Sequence, residues 1–207
     1  MNHREKLLDV VRKTSPKNVA EIGVCNGVHS EMMLHFLSTI DHMLLVDCWE
    51  PQEEYESPEN FQLYTQTNHF DKMHQAVCKR FEEDSRVEIV KGYSAEVSLT
   101  CDDESFDFIY IDACHKYECV VADLTCWFPK LKKGAYIGGD DYCDSEMGVK
   151  RAVEDFFTEH TLCVWEEAEI LLLGSKTVCL EEFPNAKGIF RVGIGKSNCG
   201  SWLVKKI

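Results

Sequence analysis

The stretch Val19-Ala20-Glu21-Ile22-Gly23-Val24-Cys25-Asn26-Gly27 runs from an apolar, strand-forming segment into a glycine turn, and Ser30 follows where it can cap a helix. A buried strand that stops at glycine and hands the chain to a helix opens a doubly wound α/β sheet, with a crevice for a nucleotide-like ligand at the turn. The glycines are spaced G-x-x-x-G. A dinucleotide site wants G-x-G-x-x-G, in which the second glycine admits backbone against a pyrophosphate, and Cys25 stands in that place. The turn therefore suits a ligand that approaches closely but carries no phosphate there.

Working outward, a helix is expected near residues 3–13, and Met33, Phe36, Leu37 and Ile40 give the helix after the turn an apolar face. Met43-Leu44-Leu45-Val46 is a second strand, ending at Asp47. Val87–Val90 and Phe106–Ile111 are the third and fourth, and Ala135–Ile137 the fifth. A helix carrying Val120, Leu124, Trp127 and Phe128 separates the last two. Val149, Ala152, Val153, Phe156 and Phe157 form another helical stripe. Beyond it, Leu162–Trp165, Ile170–Leu173 and Trp202–Val204 read as strands, so an antiparallel piece is expected to close the sheet. Residues 1–207 thus read as one Rossmann-like, mostly parallel domain with an antiparallel C-terminal strand pair. Residues 50–70, rich in Glu and holding Pro51 and Pro58, read as a lid or substrate loop, and 175–201 as an insertion without a motif.

With 22 Lys+Arg against 36 Asp+Glu the chain carries a net charge of −14, which disfavours nucleic acid as its main partner. No apolar run is long enough to span a membrane or to serve as a signal peptide, so a soluble, cytoplasmic protein is expected. The 11 cysteines are odd in number and contain no C-x-x-C pair, which favours reduced, packed thiols over a disulfide scaffold or zinc site. Leu7, Leu8 and Val11 offer an apolar face for the sheet or for a second subunit of a homo-oligomer.

Asp47 is placed to accept hydrogen bonds from ribose hydroxyls, and Trp49 to pack on an adenine or to cover the sheet edge. Glycine turn and acidic strand end together resemble the class I S-adenosylmethionine-dependent methyltransferases, whose first motif has the form Glu21-x-Gly23-x-x-x-Gly27. The resemblance implies that Glu21 and the Gly23–Gly27 loop line the methionine part of the cofactor and that Asp47 holds its ribose. It further implies that the residues after the third strand, among them Ser94 and Ala95, flank the adenine.

Asp112 ends the fourth strand and Asp140-Asp141 the fifth, so their carboxylates converge, because parallel neighbours lie about 4.8 Å apart. Crowded carboxylates without a counter-charge repel, and a divalent cation such as Mg²⁺ relieves that. His115, three residues after Asp112, is placed to act as base on a hydroxyl bound there. Ile111-Asp112-x-x-His115-x-Tyr117 with Gly139-Asp140-Asp141-Tyr142 resembles the metal-dependent O-methyltransferase branch acting on macrolide sugars and related natural products, with catechol enzymes as distant kin. That resemblance implies Mg²⁺ ligation by Asp112, Asp140 and Asp141, with Asp112 also beside the cofactor. The expected reaction is methyl transfer from S-adenosylmethionine to a hydroxyl of a small molecule, a sugar or vicinal diol. Two other readings stand beside it. One is a nicotinamide-dependent oxidoreductase, against which Cys25 and the lack of a Tyr-x-x-x-Lys pair argue; the other is a non-catalytic cofactor- or metal-binding protein of the same fold.

Overall fold

The computed structural model describes residues 2–51, 58–143, 148–164, 190–192 and 200–206. Helix α1 (His3–Arg12) is started by a reciprocal cap: the Asn2 side chain accepts from the Glu5 N–H, and the Glu5 carboxylate accepts from the Asn2 N–H. Strand β1 (Asn18–Ile22) leads through the glycine turn to α2 (Val28–Phe36), and β2 (His42–Asp47) follows. Helices α3 (Pro58–Thr67) and α4 (His69–Arg80) are separated by Asn68 in the left-handed conformation, a residue type that tolerates it. Then come β3 (Val87–Lys91), the short α5 (Ser94–Ser98), β4 (Phe106–Ile111) and α6 (Tyr117–Trp127). A 3-10 turn over Phe128–Lys130, β5 (Leu131–Gly139), α7 (Val149–Val164), β6 (Phe190–Val192) and β7 (Ser201–Lys205) complete the order.

The sheet has seven strands in the order β3-β2-β1-β4-β5-β7-β6. Strands β1 to β5 run parallel, while β7 pairs antiparallel with β5 and β6 antiparallel with β7. The expected Rossmann-like sheet with an antiparallel C-terminal pair is therefore what the chain forms. Because β1 is flanked by β2 on one side and β4 on the other, the chain winds away from β1 in both directions and the crevice opens at that point. Register sets what reaches it. Ile22 faces Val46 and Ile111, and Ile111 faces Gly139, so Gly23, Asp47, Asp112 and Asp140 all emerge at one level.

Alternate residues of the strands feed two cores. One holds Ala20, Ile22, Ile109, Ile111 and Ile137 against α6 and α7, with Trp127 wholly buried. The other packs Val19, Met43, Phe108 and Tyr110 against α1 and α2. Leu7, Leu8 and Val11 are fully buried there, so these residues of α1 pack on their own sheet. Each such leucine contributes about 1.5–3 kcal/mol on burial.

Several local expectations need correcting. Ser30 caps nothing; it lies one turn inside α2, whose N-cap is Gly27, and its hydroxyl donates to the buried Glu21 carboxylate. The helix stops at Phe36, so Leu37 and Ile40 pack from the following turn. Leu162–Val164 is the last turn of α7, where the helical stripe overrides strand propensity. Trp165, Ile170–Leu173 and most of 175–201 lie outside the described residues, as do residues 52–57 of the 50–70 segment. Cys25, Cys48, Cys78, Cys101, Cys114, Cys119 and Cys126 keep their thiols, but Cys143 is disulfide-bonded. Its near-complete burial suited a packed thiol equally well, which is why burial could not separate the two. Among the described residues no helix is long and apolar enough to cross a membrane.

Candidate functional site

A cavity of about 1140 Å³ opens at the carboxyl ends of β1, β2 and β4, and Gly23, Asp47, Asp112 and His115 all line it. The turn that begins it is held by backbone: the Gly23 N–H donates to Val46 O at 2.8 Å, and the Asp112 N–H to Ile22 O at 2.8 Å. Gly23 has φ +88° and a Cβ there would lie 2.2 Å from Asp112 O, so the β1 and β4 loops touch without room for any side chain. Cys25, Trp49 and Asp141 also adopt positive φ without being glycine. Such conformations cost of order 1–3 kcal/mol each and gather at functional sites.

The expected cofactor residues divide into cavity wall and support. Asp47 lines the cavity, but its Oδ2 accepts from the Val24 and Cys25 N–H groups at 2.9 Å each, and its Oδ1 from the Trp49 N–H at 2.8 Å. Its carboxylate therefore ties the glycine turn to β2, and any ribose contact uses the remaining lone pairs. Trp49 is almost fully buried, stacked on His74 at 4.5 Å with its indole N–H donating to Cys25 O, so it closes the sheet edge and shows only a margin to the cavity. Glu21 is absent from the wall; it is buried behind it, taken up by His29 Nδ1 at 2.8 Å and Ser30 Oγ. Gly27 likewise stands behind, capping α2 in the left-handed conformation. Gly92, Tyr93, Ser94 and Ala95 form the opposite wall. The Ser94 hydroxyl is engaged, donating to Asp123 and accepting from the Trp127 indole N–H.

The three aspartates come close as the strand register requires, and then separate. Asp141 sits at φ +54°, a reversal that sends the two successive carboxylates different ways. Asp140 turns inward, where Arg4 from α1 grips its Oδ2 through Nε at 2.6 Å and Nη2 at 2.5 Å, while His3 Nδ1 lies 3.2 Å from its Oδ1. The same Arg4 Nη2 reaches Asp112 Oδ2 at 3.0 Å. Burial raises the Asp140 carboxyl, but the charge and hydrogen bonds of Arg4 outweigh it and leave its pKa below the ordinary value. Asp141 points the other way, with its Oδ2 3.3 Å from His115 Nε2, which is also 3.4 Å from Asp112 Oδ1. The hydrogen bond to Asp112, joined by the charges of Asp141 and Asp112, raises the His115 pKa against the effect of burial. The His115 carbonyl accepts from Gly148 N–H at 2.8 Å, which fixes this turn against the start of α7.

Asp112, His115 and Asp141 can each present one ligand atom, all within 4.8 Å of one another. Two carboxylate oxygens and an imidazole nitrogen fit a divalent cation. Asp140 lies outside that group of ligand atoms, its carboxylate held by Arg4. The counter-charge taken as missing at the sequence level is thus partly internal, supplied by Arg4 and by His115.

Residues 20–142 match a family model described as a methyltransferase domain. No curated protein matches in sequence. Among solved structures, the chain is similar to an O-methyltransferase from Bacillus cereus in complex with SAH, at 16% identity and TM-score 0.62 over 98% of this chain and 80% of that one. It is also similar to the O-methyltransferase TomG from Streptomyces achromogenes, involved in tomaymycin synthesis and solved with SAM, at 13% identity and TM-score 0.60, covering 99% and 79%. A third similar structure is a putative rRNA-methylase from Clostridium thermocellum, at 13% identity and TM-score 0.61, covering 100% and 98%. With more than half of its residues inside the family model, the chain belongs to the methyltransferase-domain family and is an enzyme on the Rossmann-like fold of the class I S-adenosylmethionine-dependent methyltransferases.

Proposed function

We propose that the protein transfers the methyl group of S-adenosylmethionine to a hydroxyl of a small molecule at the Asp112–His115–Asp141 cluster. The observation that carries this reading is that one cavity is lined both by the Gly23 turn and by Asp112 and His115, which supports a donor site and a proton-accepting site side by side. The similarity to two O-methyltransferases supports oxygen as the acceptor atom.

The sulfonium methyl needs only an aligned nucleophile, so positioning supplies much of the rate. A divalent cation held by Asp112 and Asp141 would polarise a hydroxyl and favour a chelating sugar or vicinal diol. In this arrangement the two carboxylates alone would carry the cation, and His115 is not a ligand, which leaves its Nε2 to accept the hydroxyl proton. Asp112 and Asp141 then hold the resulting imidazolium from two sides, as they do at 3.4 and 3.3 Å. Phe70 and Met73 on α4 bound the same cavity and form an apolar approach for the acceptor.

Calorimetric titration of metal-stripped protein with S-adenosylmethionine and with NAD, each with and without Mg²⁺ or Mn²⁺, tests the reading. Micromolar binding of the first and none of the second is expected, with a metal heat that disappears in Asp112→Asn/Asp141→Asn. Binding of NAD alone would make the chain an oxidoreductase instead. Transfer of labelled methyl to catechols, sugars and diols should fall about 100-fold or more in His115→Ala while cofactor affinity holds. A variant with unchanged turnover would remove His115 as the base.

A further inference from the structure

Beside His115 the cavity wall carries two cations, Lys116 and Arg151, to which the reaction as proposed gives no part. Five acidic residues line the same cavity: Asp47, Glu50, Asp112, Glu118 and Asp123. In a chain of net charge −14 such a wall repels anions, unless a cation is set to receive one.

Arg151 is built that way. It stands in the first turn of α7, with its guanidinium carbon 4.6 Å from the centre of the Tyr117 ring and its Nε 3.4 Å from Asp155 Oδ2. Tyr117 is itself fixed: its hydroxyl donates to the same Asp155 oxygen at 3.1 Å, and a Cβ on Gly148 would lie 2.2 Å from Tyr117 N, so the two helix starts touch through backbone. Ring and carboxylate thus hold the guanidinium from one face and one edge. Its terminal nitrogens Nη1 and Nη2 have no partner among the described residues, and the side chain is 76% exposed. An exposed pair one helical turn apart adds little to folding, so stability alone does not account for the arrangement. An oriented fork with its outer edge open matches two oxygens of a carboxylate or phosphoryl group. Lys116, next to His115 in the chain, adds a second positive charge at the same end of the cavity.

We propose that the acceptor is a hydroxylated small-molecule acid, whose anionic group sits on Arg151 while its hydroxyl meets His115 and its apolar body faces Phe70 and Met73. Arg151 is a specificity-determining residue that selects acids over their neutral analogues. The assignment rests on the methyltransferase reading above, since it concerns the acceptor half of that cavity.

The test is calorimetric titration of the S-adenosylhomocysteine-loaded protein, in metal-free buffer so that no added cation can hold the acid. Two matched pairs serve as probes: 3,4-dihydroxybenzoate against 3,4-dihydroxybenzamide, and glucose 6-phosphate against glucose. Wild type should bind the acid of at least one pair about tenfold or more tightly than its neutral partner, the first pair marking a carboxylate and the second a phosphoryl group. Arg151→Gln should shrink that preference to about threefold or less, and Arg151→Glu should reverse it. Arg12→Gln removes the same charge from α1, where Arg12 pairs with Asp9, and should leave the preference intact. No preference in either pair, no binding of any of the four probes, or a preference kept in both Arg151 variants overturns the proposal. S-adenosylhomocysteine binding, measured first, separates the two readings: if it succeeds, only the acidic acceptor falls, and if it fails, the methyltransferase reading falls as well.

Discussion

Gly23→Ala should cost about 3–5 kcal/mol of folding stability and abolish cofactor binding in whatever fraction still folds. Two separate penalties combine. At φ +88° any L-residue pays about 1–2 kcal/mol. The new methyl would also lie 2.2 Å from Asp112 O and 2.6 Å from Ala113 Cα, which are backbone atoms with no rotamer to change. Neither loop can retreat without losing the 2.8 Å bonds that tie it to β2 and β1. Gly134→Ala is the matched control, because Gly134 has φ +78° but nothing within 4 Å of the added carbon. It should cost only about 1–2 kcal/mol. Urea unfolding of both variants measures the difference, and equal losses would refute the close approach of the β1 and β4 loops. Against a total stability of about 5–15 kcal/mol, the Gly23 loss is a large share.

Arg4→Ala is expected to have the second largest effect, about 2–3 kcal/mol at neutral pH. Breaking a fully buried pair costs about 3–5 kcal/mol, and the lower figure follows because Arg4 is 32% exposed while Asp140 is 7% exposed. The pH dependence has a definite sign. Burial acts to raise the Asp140 carboxyl, but Arg4 prevails and its folded pKa lies below the unfolded value. The pair's stabilisation is therefore complete above the unfolded carboxylate pKa of about 4 and is lost as pH falls through the lower folded value. Unfolding at pH 7 and at about pH 2 should show the gap between variant and wild type narrowing at the lower pH; a gap that widens would refute the ion pair as its source. The same substitution frees Asp112 Oδ2, so Mg²⁺ or Mn²⁺ should bind more tightly in the variant.

What could be read in advance divides by distance along the chain. Gly23, Asp47 and Asp112 were legible because each ends a short apolar run, and parallel pairing brings strand ends to one level whatever the loops between them do. Arg4 was not legible as part of the site: its partners lie 108 and 136 positions away, and a charged helix start looks the same whether solvated or docked. The parting of Asp140 from Asp141 depends on a left-handed Asp141, a conformation that no glycine announces. Ser30 looked like a cap because the rule is local, whereas Glu21, nine residues earlier, claimed its hydroxyl.

The wall around Asp140 joins residues from opposite parts of the chain: His3 Nδ1 meets Ser201 Oγ at 2.9 Å across 198 positions, and both touch the same carboxylate. On the ribosome Asp140 emerges 61 positions ahead of Ser201, so at about 5–20 residues per second the delay is roughly 3–12 s. Throughout it Asp140 lacks its Ser201 neighbour and β5 lacks its β7 partner. The nascent sheet therefore presents an open, apolar strand border during synthesis, and a holdase chaperone able to cover such a border would raise the yield of active protein.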